Sequence, residues 1–309
     1  MFTLLVFAFC FSQNKEKPFT FIVLGDMPYN LPADNVRFEN VINEINKQEQ
    51  VFNVFVGDFK SSKTPCSDAA FQKILDYFNS FKKPLIYTPG DNEWTDCGKP
   101  QAGSYNINER LSALRAKFFK DTVHSLGKSK MILTSESSNK EYAKFVENKM
   151  WDYNKISFAT IHLVGSNNNF DKDSLKSNEE FFERSKADIF WLNEVFKKAK
   201  ANNSLGIVIF EHADMITPDK GKDGFVIFLK ELQKLVLDYN KPVLLINGDS
   251  HEYKVDKPLY ENEELKKSVL NFTRLQVFGE ADMHAVKVVV NPKNPTLFEI
   301  NQFLIRENQ

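Results

Sequence analysis

Apolar and polar positions along the chain switch between two periods. Phe19–Leu24 is a largely apolar run of strand length, and Phe38, Val41, Ile42 and Ile45 then recur at helical spacing. Val51–Val56 predicts a second strand, Phe71, Ile74, Leu75 and Phe78 a second helix, and Leu85–Thr88 a short third strand. Strand–helix units of ~30 residues imply right-handed βαβ crossovers and a mainly parallel sheet, which is the α/β class. Further on, Leu111, Leu114 and Phe118 suit a helix, and Ile156–Val164 reads as a long strand running into Gly165-Ser166-Asn167-Asn168-Asn169. Phe182, Ile189, Leu192, Phe196 and Ala199 mark a long amphipathic helix, and Leu205–Phe210 a strand. Phe225, Phe228, Leu229, Leu232, Leu235, Val236 and Tyr239 give the clearest helical stripe, followed by a strand at Pro242–Ile246. Thr273–Phe278, Ala285–Val290 and Thr296–Ile305 then read as strands with no helix between them, which predicts an antiparallel finish. No repeat and no Pro/Gly/Ser-rich linker divides the chain, so residues 19–305 are read as a single domain.

Composition removes function classes without naming one. The 309 residues carry 40 Lys and Arg against 41 Asp and Glu, a net charge of −1, so there is no nucleic-acid-binding signature. No apolar run reaches the ~18 residues of a membrane span. Phe2–Phe11 has the length of a signal-peptide core, with Cys10 and Ser12 as small residues before a cut after Ser12. Residues 1–12 are therefore read as a signal peptide and the protein as exported, periplasmic or secreted. No Lys or Arg precedes Lys15, and without a functional leader the chain would be cytoplasmic.

The chemistry collects just past the strands, where parallel α/β sheets bind ligands. Leu24 is followed by Gly25-Asp26, Val56 by Gly57-Asp58, and Thr88 by Pro89-Gly90-Asp91-Asn92-Glu93. Phe210 leads to Glu211-His212, and Ile246 to Asn247-Gly248-Asp249-Ser250-His251. One Gly-Asp pair is an ordinary turn. Five strand ends in register aim carboxylates and imidazoles at one rim, with Lys60 the main nearby cation. Carboxylates gathered this way repel unless a cation neutralises them, so a metal cluster is the simplest resolution.

In the order, spacing and strand-end placement of these five motifs, the chain resembles the calcineurin-like metallophosphoesterases, the wider family that includes purple acid phosphatases. The resemblance runs from about Phe19 to Ile305. It implies a four-layer α/β/β/α sandwich with central mixed, largely parallel sheets, two divalent metal ions, and a phosphorylated small-molecule or other phosphoester substrate. Carried over position by position, it implies Asp26, Asp58 and His251 at one metal and Asp58, Asp91, His212 and Asp249 at the other. The departures are specific. Pro28 stands where the family has a metal-binding His, Asp91 replaces an Asn, Asn92 replaces the catalytic His, and Asp249 replaces the first His of the last motif. A one-residue slip would instead make Asn92 the ligand and Glu93 the acid. The oxygen-rich donor set implies Mn²⁺ or Mg²⁺, with Ca²⁺ as a further option.

Other residues keep two readings each. Tyr29 could reach a metal or the phosphate, or be a packed loop aromatic. Ser166, Asn167 and Asn168 could donate hydrogen bonds to substrate or simply form a turn. His284, before a late strand, is an outside candidate for the missing acid, since Asn92 cannot deliver a proton. His162 reads as a satisfied sheet histidine and His124 as exposed. Removal of the leader takes Cys10 with it. It leaves Cys66 and Cys97 in loops at the same sheet edge, which predicts a disulfide. The implied function is hydrolysis of phosphoric esters by a metal-activated water. The alternative is a catalytically weak relative that binds metal and a phospho-ligand.

Overall fold

The computed structural model describes residues 17–173, 178–216, 223–262 and 264–309, so the expected leader at residues 1–12 lies outside the described residues. In chain order the strands are β1 (Phe19–Leu24), β2 (Asn53–Val56), β3 (Leu85–Thr88), β4 (Thr134–Ser135), β5 (Lys149–Tyr153), β6 (Ile156–Thr160), β7 (Gly206–Phe210), β8 (Val243–Asn247), β9 (Lys254–Asp256), β10 (Tyr260–Asn262), β11 (Lys267–Ser268), β12 (Phe272–Gln276), β13 (Ala285–Val290) and β14 (Phe298–Phe303). They form one sheet of order β14-β13-β1-β2-β3, a second of order β4-β5-β6-β7-β8-β12-β9, and the small β10-β11 pair. β1, β2 and β3 run parallel, as do β6, β7, β8 and β12.

Burial explains the layering. The central strands of both sheets are buried on both faces, so each sheet must be covered twice. Between the sheets, Phe21, Val23, Val54 and Val56 meet Phe158, Phe210, Ile246 and Leu275. Outside the first sheet, Phe38, Phe71, Phe78 and Leu114 from the helices Asp34–Ile45, Asp68–Ser80 and Ile107–Phe118 pack on Ile22, Leu24, Phe55 and Tyr87. Outside the second, Leu192, Phe196, Leu232 and Val236 from Glu179–Ala201 and Val226–Tyr239 pack on Ile207, Ile209 and Leu245. The result is the α/β/β/α sandwich. It sets the ends of β1, β2, β3, β7 and β8 along one rim.

Three expectations change. The finish is antiparallel only for β13 and β14. β12 runs parallel to β8, because β9 and the β10-β11 pair carry the chain back without a helix, and β9 then pairs antiparallel on the far side of β12. The strand from Ile156 stops at Thr160. It forms a hairpin with β5 through Asn154 and Lys155, both at positive φ (43° and 59°), without the usual Asn-Gly signal. At the start of the long helix Phe181 is buried, while Phe182 stays 48% exposed.

The expected disulfide is present. Cys66 and Cys97 are bonded with a Cα separation of 5.7 Å, joining the loops that leave β2 and β3. Their sulfurs lie 3.7 and 3.8 Å from the carbonyl oxygen of Asn92, directly against the loop that carries Asp91. The bond spans 31 residues. Replacing both cysteines with serine should therefore lower the unfolding free energy by ~3–4 kcal/mol in urea titrations.

Candidate metal centre

Asp58 stands at the centre of the rim. A carboxylate oxygen of Asp58, one of Asp91 and a ring nitrogen of His212 all lie within 4.8 Å of one another, and so do one ligand atom each of Asp58, Asp26 and His251. The two groups share Asp58 and define a candidate dimetal site. His212 Nε2 lies 3.4 Å from Asp58 Oδ1 and 3.1 Å from Asp91 Oδ1, with Asp249 Oδ1 at 4.0 Å. His251 Nε2 lies 3.5 Å from Asp26 Oδ1. Asp249 also accepts a hydrogen bond from Asp214 N (2.9 Å), while its own amide donates to Asp26 Oδ1 (3.0 Å).

Several features fit this donor set to cations. The Nδ1 atom of His212 faces the carbonyl oxygen of Val56 at 2.8 Å, and that of His251 faces Glu280 Oε2 at 3.1 Å, so each ring turns Nε2 toward the carboxylates. Asp26 Oδ2 is buried and has no hydrogen-bond partner among the described residues. Glycines let the carboxylates close in. A Cβ on Gly248 would sit 2.2 Å from Asp26 Oδ2, and one on Gly90 2.1 Å from Asp58 Oδ1. Asp26, Asp58, Asp249 and His251 all take positive φ (53°, 57°, 73° and 60°), a costly conformation outside glycine that is kept where the surroundings over-determine it.

The electrostatics show the same need. Burial pushes the Asp26 and Asp58 carboxyls well above the usual range, against the pull of His212. Asp91 is buried too, yet hydrogen bonds from His212 and Ser166 hold it below its ordinary value. Despite its own burial, His212 is raised well above an ordinary imidazole by Asp58 and Asp91.

The remaining expected residues divide. Tyr29 is brought in. Its hydroxyl donates to Asp58 Oδ2 (2.8 Å) and lies 3.2 Å from His251 Nε2. Asn92 is also at the centre. Its amide nitrogen Nδ2 donates to Tyr29 Oη (3.0 Å) and to Asp58 Oδ2, and its backbone N–H to Asp58 Oδ1 (2.9 Å). Glu93 turns away, accepting from Phe59 N and Tyr87 Oη, while Asp91 stands in the group with His212. Ser166 approaches but spends its hydroxyl on Asp91 Oδ2 (2.8 Å). Asn167 does not face the centre: its amide bridges Phe170 O and Gly224 N. His284 is not brought there either, because its Nδ1 accepts from Ile305 N (3.2 Å) and its ring packs on Phe278. Lys60 donates to Ser61 O and is lowered by burial. Buried His162 lies just past β6 rather than in it, with Nδ1 on Glu147, and His124 pairs with Asp121 at the surface.

The centre floors a cleft of about 340 Å³ whose walls include Tyr29, Asn30, Ser61, Ser62, Lys63, Asp96 and Glu280. Sequence reading missed most of this wall. Ser61, Ser62 and Lys63 follow Asp58 at short range and could have been found. Glu280 comes from a distant loop and carries no local signal.

A four-layer sandwich with a shared carboxylate between two buried Asp/His groups defines the class of dinuclear metallophosphoesterases. Residues 19–253 match the family model of the calcineurin-like phosphoesterases, and the chain belongs to that family. No curated protein matches the sequence. The fold is similar to that of a dimetal phosphatase from Danio rerio (12% identity, 93% of this chain and 99% of that one, TM-score 0.53). It is also similar to a purple acid phosphatase from yellow lupin (Lupinus luteus) seeds (11% identity, 96% of this chain and 53% of that one, TM-score 0.54). A third similar structure is GAP50, the anchor in the inner membrane complex of Plasmodium (13% identity, 94% and 89% covered, TM-score 0.51).

The tight fit at Gly248 gives a test of the geometry. Gly248→Ala should push Asp26 off its position, weakening metal uptake at least ~10-fold and costing ~1–3 kcal/mol of stability by overpacking. Metal titration and thermal unfolding of the variant measure both.

Proposed function

We propose that the protein is a metal-dependent phosphoric ester hydrolase acting on a phosphorylated small molecule or similar phosphoester. The observation that supports this most is the position of Asp58, common to both Asp/His groups, with His212 Nδ1 fixed on a backbone carbonyl. Asp26 and His251 would hold one divalent cation and Asp91, His212 and Asp249 the other, with Asp58 serving both. When bound, such a pair supplies charge to the phosphoryl oxygens and lowers the pKa of a bound water. The chain supplies the rest. Tyr29 and Asn92 lie over Asp58 with their donors engaged there and with each other, so a phosphoryl oxygen would have to take over one of those bonds to be oriented by them, and Lys63 adds a positive charge on the cleft wall. No side chain of the Tyr29–Asn92–Asp58 group replaces the missing histidine as a ready proton donor, so the leaving oxygen departs as its anion or takes a proton from water. Esters of acidic alcohols and phenols are then the favoured substrates.

A second reading, metal and phospho-ligand binding with little turnover, is favoured by one observation. The Asn92 amide is already engaged by Asp58 and Tyr29. Hydrolysis of a chromogenic phosphomonoester and a phosphodiester, with and without chelator, separates the two readings. We also propose export of the protein, supported by the Cys66–Cys97 bond, because such bonds persist in oxidising compartments.

Three results are expected. Asp58→Asn should cost both equivalents of metal and reduce turnover at least ~100-fold, whereas Asp249→Asn should retain the cation held at Asp26 and His251, as read by metal analysis. Reconstitution should restore activity with Mn²⁺ or Mg²⁺, since only two of the six donors are imidazoles; activity restored by zinc or iron alone would contradict this. Asn92→His should raise rates on alkyl phosphates by ~10-fold or more and flatten the dependence on leaving-group pKa, measured across an ester series.

A further inference from the structure

The segment after β6 takes a conformation that needs explaining. Ser166, Asn167, Asn168 and Asn169 have φ values of 51°, 56°, 57° and 60°, one left-handed turn of four consecutive residues. Each L-residue there costs roughly 1–2 kcal/mol, less for Asn, so the turn persists only because other groups impose it.

The principal clamp is Arg184, fully buried on the helix Glu179–Ala201. Its Nη1 donates to His162 O (2.8 Å) and Asn168 Oδ1 (2.6 Å), and its Nη2 to Asn168 O (2.9 Å). Its Nε donates to Glu180 Oε1 (2.6 Å), which fixes the guanidinium plane. Asn167 and Asn168 complete the clasp by holding both backbone polar groups of Gly224.

The other side of the turn meets the metal centre. Gly165 lies so close to two carboxylates that a Cβ would sit 2.4 Å from Asp91 Oδ1 and 2.7 Å from Asp249 Oδ1. Ser166 Oγ donates to Asp91 Oδ2 at 2.8 Å. One oxygen of Asp91 is thus engaged by the turn, and the other faces His212.

From this juxtaposition we infer that the turn Gly165–Asn169, held by Arg184, is the positioning device for the cation site of Asp91 and His212 and has no such role at the site of Asp26 and His251. Ser166 acts through Asp91 rather than on substrate, and Arg184 acts through Ser166. The inference rests on the two-metal reading above. It explains why an arginine is buried one layer behind the sheet, and why three asparagines, the residues that best tolerate left-handed geometry, follow one another there.

Calorimetric titration of the metal-stripped full chain with Mn²⁺ tests it, alongside thermal unfolding. Wild type should take up two equivalents. Ser166→Ala should bind the first with unchanged affinity and the second ~10-fold or more weakly, with a midpoint of unfolding close to wild type. Arg184→Lys cannot reproduce the fork of donors and should show the same selective loss together with lower stability. Two unchanged binding events in Ser166→Ala, or equal weakening of both, would overturn the inference. A wild-type chain that binds no Mn²⁺ would instead overturn the metal-dependent reading itself. If Arg184→Lys fails to fold, Ser166→Ala alone decides.

Discussion

Repulsion among buried carboxylates is the constraint around which this molecule is arranged. Asp26, Asp58 and Asp91, all buried, converge with half-buried Asp249 at the rim of two sheets, where burial strengthens the interaction between like charges. Left alone they would turn outward or stay protonated. The fold resists both outcomes by removing the room to move: glycines pressed against the carboxylates, backbone angles that only a rigid frame tolerates, and a cystine beneath the third loop. His212 shows what the arrangement demands, since it holds its proton far more tightly than a free imidazole.

The frame was largely legible in the chain because it is written in periodicity. Apolar runs of strand length and stripes such as Phe225–Tyr239 follow from burial alone, and the glycine-plus-acid pairs after each strand follow from how a chain leaves a parallel sheet. What escaped was the part built from long-range pairing. The direction of β12 depends on a return path without a helix, and the β5 hairpin turns on Asn154-Lys155, a pair with little turn signature. At the site, Asp26, Asp58, Asp91, His212 and His251 were readable from spacing, because each sits two to four residues past the end of a strand. The opposite fates of Asn92 and Glu93 were not, since only packing distinguishes a side chain that turns toward Asp58 from one that turns toward Tyr87. His284 illustrates the reverse error: proximity along the chain to a site loop does not fix the direction of a ring that the segment after β14 can engage.

Buried polar groups elsewhere serve the same end. The surroundings of the second sheet are not purely apolar. Arg115 of the helix Ile107–Phe118, Glu147, His162 and Arg184 form linked ion pairs and hydrogen bonds, and such networks contribute geometric definition more reliably than net stability. Here the definition is passed to a loop that touches the centre.

The two imidazoles differ in exposure, and that difference governs time rather than energy. The His212 side chain is sealed, with 0% exposure, whereas that of His251 is 27% exposed and leans on Glu280 at the lip of the cleft. A cation held at Asp26 and His251 would meet the medium on its imidazole side as well as through the cleft. One held at Asp91 and His212 would be closed on its imidazole side and would reach the medium only past Asp91 and Asp249, which line that cleft, so its exchange would be the slower of the two.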